Sequence, residues 1–172
     1  MSAFKPVCPT EIDPAFDLIG KEWMLITAAD KSQSGTKAVN AMTASWGGLG
    51  ILWNRPVAFV FIRPQRYTYS LVEESDRFSL CFLGEEYRDA LRLCGTKSGR
   101  DIDKLAACGL NTQTEGDLPY IAESRLVLCC RKLYAADLEQ AGFLLPELLD
   151  NYKTGDFHRM YVVEIEQALL AQ

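Results

Sequence analysis

The chain of 172 residues has a single histidine, His158, and that scarcity removes most chemistry that rests on imidazole. A zinc site has too few ligands, because the six cysteines, at positions 8, 81, 94, 108, 129 and 130, contain no CxxC spacing. A Ser–His hydrolase would have to use Ser45 or Ser98, and neither sits in a GxSxG elbow. No GxGxxG opens a βαβ pattern and no P-loop is present, which disfavours a Rossmann dinucleotide fold and a P-loop nucleotidase. No apolar run is long enough to span a bilayer. The opening MSAFKPVCPTEIDPAF carries Pro and acids where a signal peptide needs an apolar core. Positive charge is short as well: 18 Lys and Arg stand against 23 Asp and Glu, which excludes the basic footprint of non-specific nucleic-acid binding. The expectation is a soluble, cytoplasmic protein with no nucleic-acid or membrane partner, its thiols reduced and mostly buried.

What is present is a core. Hydrophobic residues make up 48% of the chain, enough for one domain over residues 1–172 and too many for disorder. The central stretch is Asn40 to Pro64, NAMTASWGGLGILWNRPVAFVFIRP. Its small and hydroxyl residues and its glycines Gly47, Gly48 and Gly50 suit a backbone that something flat and polar approaches closely. The apolar run Val57 to Ile62 suits a strand buried on both faces.

Around this stretch the first twenty residues, with Pro6, Pro9 and Pro14, read as an extended lead-in. Strands are predicted over Glu22 to Ala29, Arg77 to Leu83, Ala122 to Leu133 and Phe157 to Ile165, with Lys37 to Thr43 pairing back as a hairpin. Thr68 is a candidate N-cap for a helical segment from Tyr69 to Ser75. Glu85 to Leu93 has the spacing of an amphipathic helix stopped by Gly95. Ser98 with Asp101 forms a weak capping box ahead of a short helix that ends at Cys108, and Asn111 to Leu118 reads as a polar loop. Leu138 to Asp150 is irregular or partly helical. Neighbours on a strand face opposite ways, so Cys129 and Cys130 are not expected to act together. Many strands with two or three short helices define a mainly β, antiparallel barrel with helices at its rims.

Five cations, Arg63, Arg66, Lys97, Arg100 and Lys104, gather at the ends of the central stretch and around the SGRD turn of this acidic chain. They suit a phosphate, helped by oriented amides near Thr68 and Ser98, and they equally suit a solvated basic face. Asp101 and Asp103 weigh against the anion. Trp46 and Trp53 are open between core packing and a binding surface, and His158 between a satisfied strand histidine and a ligand or proton relay.

Four motifs occur in order: NAMTASWGGLG from Asn40, RPxRYT from Arg63, SGRDxDK from Ser98 and HRMYVVEI from His158. In this order, spread over about Glu22 to Ile165, they resemble the flavin reductase-like, FMN-binding split-barrel family, particularly its flavoredoxin-type branch. The resemblance implies a six-stranded split β-barrel and a homodimer with FMN bound non-covalently at the dimer groove. It assigns Asn40, Met42, Thr43, Ala44, Ser45 and Trp46 to the isoalloxazine and ribityl chain. Arg63, Arg66, Tyr67, Thr68, Ser98, Gly99 and Lys104 complete the cofactor-binding set, mostly around the phosphate, and His158 approaches the cofactor or nicotinamide as a catalytic candidate. The family's usual glycine in the last strand is Val163 here. The activity implied is hydride transfer from NAD(P)H to FMN, the alternative being an electron carrier that serves a redox protein partner. A site poor in nucleophiles suits either, because the flavin carries the chemistry.

Overall fold

In the computed structural model, which describes residues 4–7 and 15–172, the barrel strands show on their inner face why the sheet curls. Met24, Ile26, Met42 and Ala44 at one end of the sheet share a single core with Ala58, Val60 and Ile62 from the other end. Strands that are far apart in sheet order can bury their side chains together only if the sheet coils round on itself.

The strands are β1 (Phe4–Val7), β2 (Met24–Ala29), β3 (Val39–Ala44), β4 (Gly47–Leu52), β5 (Arg55–Ile62), β6 (Arg77–Phe82), β7 (Thr112–Glu115), β8 (Leu118–Ile121), β9 (Leu126–Asp137) and β10 (Arg159–Ala171). The main sheet runs β3-β2-β6-β9-β10-β5-β4, all antiparallel, with β1 added along the far half of β10. It holds eight strands rather than six. β3 and β4 are its two ends and are not paired with each other, so the barrel is split there.

Among the described residues four α-helical segments accompany the sheet: α1 (Ala15–Asp17), continued by a π-turn over Leu18–Glu22, then α2 (Tyr67–Glu73), α3 (Arg88–Thr96) and α4 (Lys104–Cys108). Helix α2 puts Leu71 and Val72 into the barrel core. A second core lies on the outer face of β2, β6 and β9, where Leu25, Cys81, Val127 and Cys129 meet Leu91 and Cys94 of α3 and Leu105 of α4. Each fully buried aliphatic side chain contributes about 1.5–3 kcal/mol, so these two layers dominate the fold's stability. Cys130 faces the first core and Cys129 the second, as strand alternation requires. Burial holds the Cys94 thiol up to about 12 and Cys129 to about 11, so both stay protonated, and all five described cysteines are free. Cys8, Pro9 and Pro14 lie outside the described residues.

Several boundaries differ from expectation for identifiable reasons. The lead-in is a strand followed by a helical turn that includes Glu22, and Trp23, at φ 69°, turns the chain into β2. The run Val57 to Ile62 is buried on both faces only in part: Ala58, Val60 and Ile62 face the core, while on the other face Val57 is buried and Phe59 and Phe61 stay half-buried. Gly47, Gly48 and Gly50 serve strand pairing. A Cβ at Gly47 would lie 2.6 Å from the Phe59 carbonyl, and Gly48 and Gly50 pack on the Phe59 ring, so the flat neighbour is β5 itself. Trp53 and Asn54, at φ 51° and 57°, form the two-residue turn of the β4–β5 hairpin. The loop expected over Asn111 to Leu118 contains most of a second hairpin, β7–β8. Gly95 does not end α3, which runs to Thr96; it packs beside Thr43 of β3. The last strand continues six residues past Ile165, where β9 and β1 both still pair with it.

Candidate functional site

The end of β3, the end of β5, the start of α2, the α3–α4 connection and the approach to β10 converge beside the split in the barrel. They form two clefts that share Arg66. One, of about 220 Å³, takes Met42, Thr43, Ala44, Ser45 and Trp46 together with Phe61, Arg63 and His158. The other, of about 180 Å³, takes Tyr67, Thr68, Ser98, Gly99 and Lys104, with Gln65, Thr96 and Lys97. Asn40 stands in the wall behind the second cleft, its amide donating to Thr68 Oγ1 at 2.9 Å. All fourteen expected site residues therefore fall in one region, although successive motifs begin 23, 35 and 60 residues apart along the chain.

Within it the roles separate. Lys104 opens α4, directly after Asp103, whose carboxylate caps the helix by accepting from the Ala106 amide. Ser98 is not that cap; its hydroxyl instead accepts from the Arg100 amide in the preceding turn. The Lys104 side chain is only 3% exposed, and its ammonium reaches the Cys94 carbonyl at 3.4 Å. Burial draws its pKa down to about 8, with neighbouring Arg66 adding to the effect. Arg66 donates to the Gly95 carbonyl at 2.7 Å and the Cys94 carbonyl at 3.0 Å, and burial lowers its pKa too. Both cations thus lean on the last-turn carbonyls of α3, which lack intrahelical partners. Neither has a carboxylate partner among the described residues.

Asp101 and Asp103, expected to oppose an anion, do not pair with either cation: Asp103 is spent on the cap and on the Thr36 hydroxyl. Gly99 is enforced by packing, since a Cβ there would lie 2.1 Å from Asn40 Oδ1 and 3.0 Å from the Tyr67 ring. The Tyr67 hydroxyl donates to Asp30, and Arg100 lies over its ring at 4.7 Å. Burial opposes the charge on Asp30, but the hydrogen bonds from Ser32 and Tyr67 outweigh it and keep the carboxyl below its usual value.

Three details correct the expectation. Thr68 is not the N-cap of α2, which starts two residues earlier than expected, at Tyr67, with Arg66 in the cap position; the Thr68 hydroxyl is the acceptor for Asn40. The Thr43 hydroxyl donates its proton to the Leu91 carbonyl of α3, so toward a ligand it can only accept. Arg63 does not belong with Arg66 and Lys104. It lies in the other cleft, ion-paired to Asp156 and donating to the Asn151 carbonyl at 3.0 Å. Thr154, Arg63 and Gln65 together hold the Asp156 carboxyl well below the usual range. Val163 is fully buried in the barrel core and lines neither cleft.

His158 is 8% exposed and sits among rings: Trp46 at 5.3 Å, Phe61 at 6.4 Å and Tyr152 at 5.5 Å. Its Nδ1 is 2.8 Å from the Tyr152 hydroxyl. Burial, reinforced by the Arg63 charge, lowers its pKa to about 4, so it is neutral near pH 7. Neither Ser45 nor Ser98 bonds to it, and no serine–histidine pair forms among the described residues. Tyr152, Asp156 and the Cys94 and Gly95 carbonyls are the parts of the site that sequence reasoning missed. Asp156 precedes the last motif by two residues, and the carbonyls follow from any helix ending near Gly95; Tyr152 carried no signal. A larger cavity, of about 630 Å³, lies elsewhere between Tyr87, Asn111 and Arg125. Its arginine is ion-paired to Glu22, so it lacks the unmatched charge of the motif region.

With the geometry described, the comparisons define the class. Residues 17–171 match the flavin reductase like domain family, and the chain belongs to that family. An FMN-binding domain of a flavin reductases-like enzyme from Shewanella baltica OS155 superposes with a TM-score of 0.69 at 18% identity, covering 99% of this chain and 78% of that one. Flavoredoxin of Desulfovibrio vulgaris (Miyazaki F) gives 0.67 at 20% identity over 87% and 69%. The styrene monooxygenase flavin reductase of Pseudomonas putida S12 gives 0.61 at 13% over 86% and 78%. No curated protein matches the chain.

Proposed function

We propose that this chain is a single-domain, homodimeric, cytoplasmic FMN protein that accepts hydride from NAD(P)H. The reading rests above all on one observation: buried Lys104 and half-buried Arg66 lie side by side on the same carbonyl, with no carboxylate partner among the described residues. Burying one charge against a second, half-buried one of the same sign is costly unless an anion joins them, and a phosphate supplies that anion. Arg66, Lys104, Ser98 and the Gly99 backbone would hold the FMN phosphate. The backbone from Met42 to Ser45 and the half-exposed face of Trp46 would hold the ring. Charged hydrogen bonds of about 1.5–3 kcal/mol each make such a phosphate grip firm. Bound there, FMN would supply the two-electron redox chemistry.

This chain's residues would position and shield. The Arg63–Asp156 pair is compensated and adds little net charge to the ring cleft, and neutral His158 would offer a hydrogen bond without adding charge. A second copy at the open β4 edge is supported by Trp53 and Ile51, more than half exposed there. The similarity to FMN-binding flavin reductase-like structures is in keeping with this reading.

The test is the visible spectrum of the purified protein with FMN, before and after anaerobic NADH or NADPH. A flavin band perturbed by binding and bleached by either nicotinamide is expected. A protein that neither retains FMN nor oxidises NAD(P)H with added FMN would overturn the proposal. Retained flavin that bleaches only when a redox protein is supplied would replace it with the electron-carrier reading.

A further inference from the structure

We infer that Tyr152 is a positioning residue that fixes His158 as a neutral imidazole with its proton on Nε2, presenting a single N–H donor to the ring cleft. The geometry is specific. The Tyr152 hydroxyl and His158 Nδ1 are 2.8 Å apart, and the two rings meet edge to face at 86°. Tyr152 is itself immobilised, stacked on Phe157 at 4.9 Å, met edge-on by Phe143 at 5.6 Å, and covered by the Arg63 guanidinium at 5.2 Å.

Counting donors decides the tautomer. A phenol has one proton, and the only hydrogen-bond partner of the Tyr152 hydroxyl among the described residues is His158 Nδ1. If Nδ1 carried a proton and donated to the phenol oxygen, the phenol's own proton would have no protein acceptor. If the phenol donates, Nδ1 is the acceptor and both groups are satisfied. The ring's remaining proton then sits on Nε2. That nitrogen bonds to no described residue, yet is not among the buried atoms left without a partner, and His158 lines the cleft while Tyr152 does not. The charged groups facing the pair are Arg63, over the tyrosine ring, and its partner Asp156. Arg63 disfavours a second imidazole proton and thereby supports the neutral form.

Such a donor suits an electron-rich heteroatom, a carbonyl oxygen or an unprotonated ring nitrogen, on whatever flat ligand lies against Trp46. The use made of the donor rests on the FMN reading above; the tautomer does not. The experiment keeps the two apart because His158 is the only histidine in the chain. Protein carrying 15N-histidine, without a histidine tag and without flavin, gives one imidazole spectrum. In the wild type, one spin system with a proton on Nε2 and a hydrogen-bonded, unprotonated Nδ1 is expected, unchanged from neutral pH down to about 5. In Tyr152→Phe, which keeps the ring stacking, the Nδ1 resonance should move to the position of an unbonded nitrogen and the other tautomer should become populated. A proton on Nδ1 in the wild type would overturn the inference even if the variant failed to fold. So would a folded Tyr152→Phe whose spectrum matched the wild type. A separate FMN titration of the wild-type protein reports on the proposed function, and its failure leaves the tautomer result standing.

Discussion

At the residue scale, Lys104 sets function against stability. Burial draws its pKa to about 8, below the ordinary lysine value, so the folded state resists the charge that a phosphate needs. Lys104→Met should therefore act in two directions. FMN affinity should fall about 10- to 100-fold, the equivalent of one charged hydrogen bond, as read by fluorescence titration. The ligand-free fold should gain on the order of 1 kcal/mol from replacing a buried charge by an isosteric apolar chain, as read by denaturant unfolding. Loss of stability together with unchanged affinity would remove Lys104 from the phosphate site.

The same lysine predicts a pH dependence. The free protein loses the ammonium as pH rises through about 8, so phosphate affinity should weaken above that value in the wild type and stay flat in Lys104→Met. Phosphate-binding calorimetry between about pH 7 and 10 checks this. Sequence order identified Lys104 as a cation in the right motif. It could not reveal that the side chain turns inward under Arg66, because that depends on where α3 ends in space.

At the element scale, the α3–α4 connection is a packed wall. Gly99→Ala would bring a Cβ against Asn40 Oδ1 and the Tyr67 ring, forcing Asn40 away from Thr68. A stability loss of about 1–3 kcal/mol, as for overpacking elsewhere, should accompany weaker FMN binding. Thermal unfolding and a titration measure both, and tolerance of alanine on both counts would mean that the wall yields. The local motifs were legible as chemistry but not always as structure. The glycines after Trp46 announced close approach, and the partner that approaches is Phe59 of the adjacent strand. Ser98 and Thr68 have cap-forming side chains, yet Asp103 and Arg66 occupy the cap positions, because the register of a short helix follows packing more than its first hydroxyl. Arg63 belongs to the same RPxRYT motif as Arg66 yet lines only the ring cleft, because Asp156 and the Asn151 carbonyl hold it there while the Cys94 and Gly95 carbonyls draw Arg66 toward Lys104.

At the scale of the whole molecule, alternation and turn residues were enough for a mainly β barrel with helices at the rim. The hairpins at Trp53-Asn54 and after Glu115 escaped notice because neither is flanked by strong alternation. Buried His158 adds an acid-sensitive component to the fold. Its pKa is about 4 in the folded chain and about 6.5 in an unfolded one. The lowered value means that only the unfolded state takes up the proton between those limits, so stability is lost as pH falls through that window. His158→Asn should remove on the order of 2 kcal/mol of this acid-dependent loss, seen as a shallower decline in unfolding midpoint between about pH 6.5 and 4. An identical slope would show that carboxylates alone set the decline.

The paired cations at the end of α3 have a consequence for the life of the polypeptide. With nothing seated against them, Arg66 and Lys104 repel each other in surroundings that screen them poorly, and only helix carbonyls soften the strain. Occupancy by any tightly held phosphate ester should then raise the melting temperature in proportion to the logarithm of its free concentration. Where flavin is scarce, newly made chains would be the ones most readily unfolded and degraded, so abundance of the protein would follow supply of its ligand.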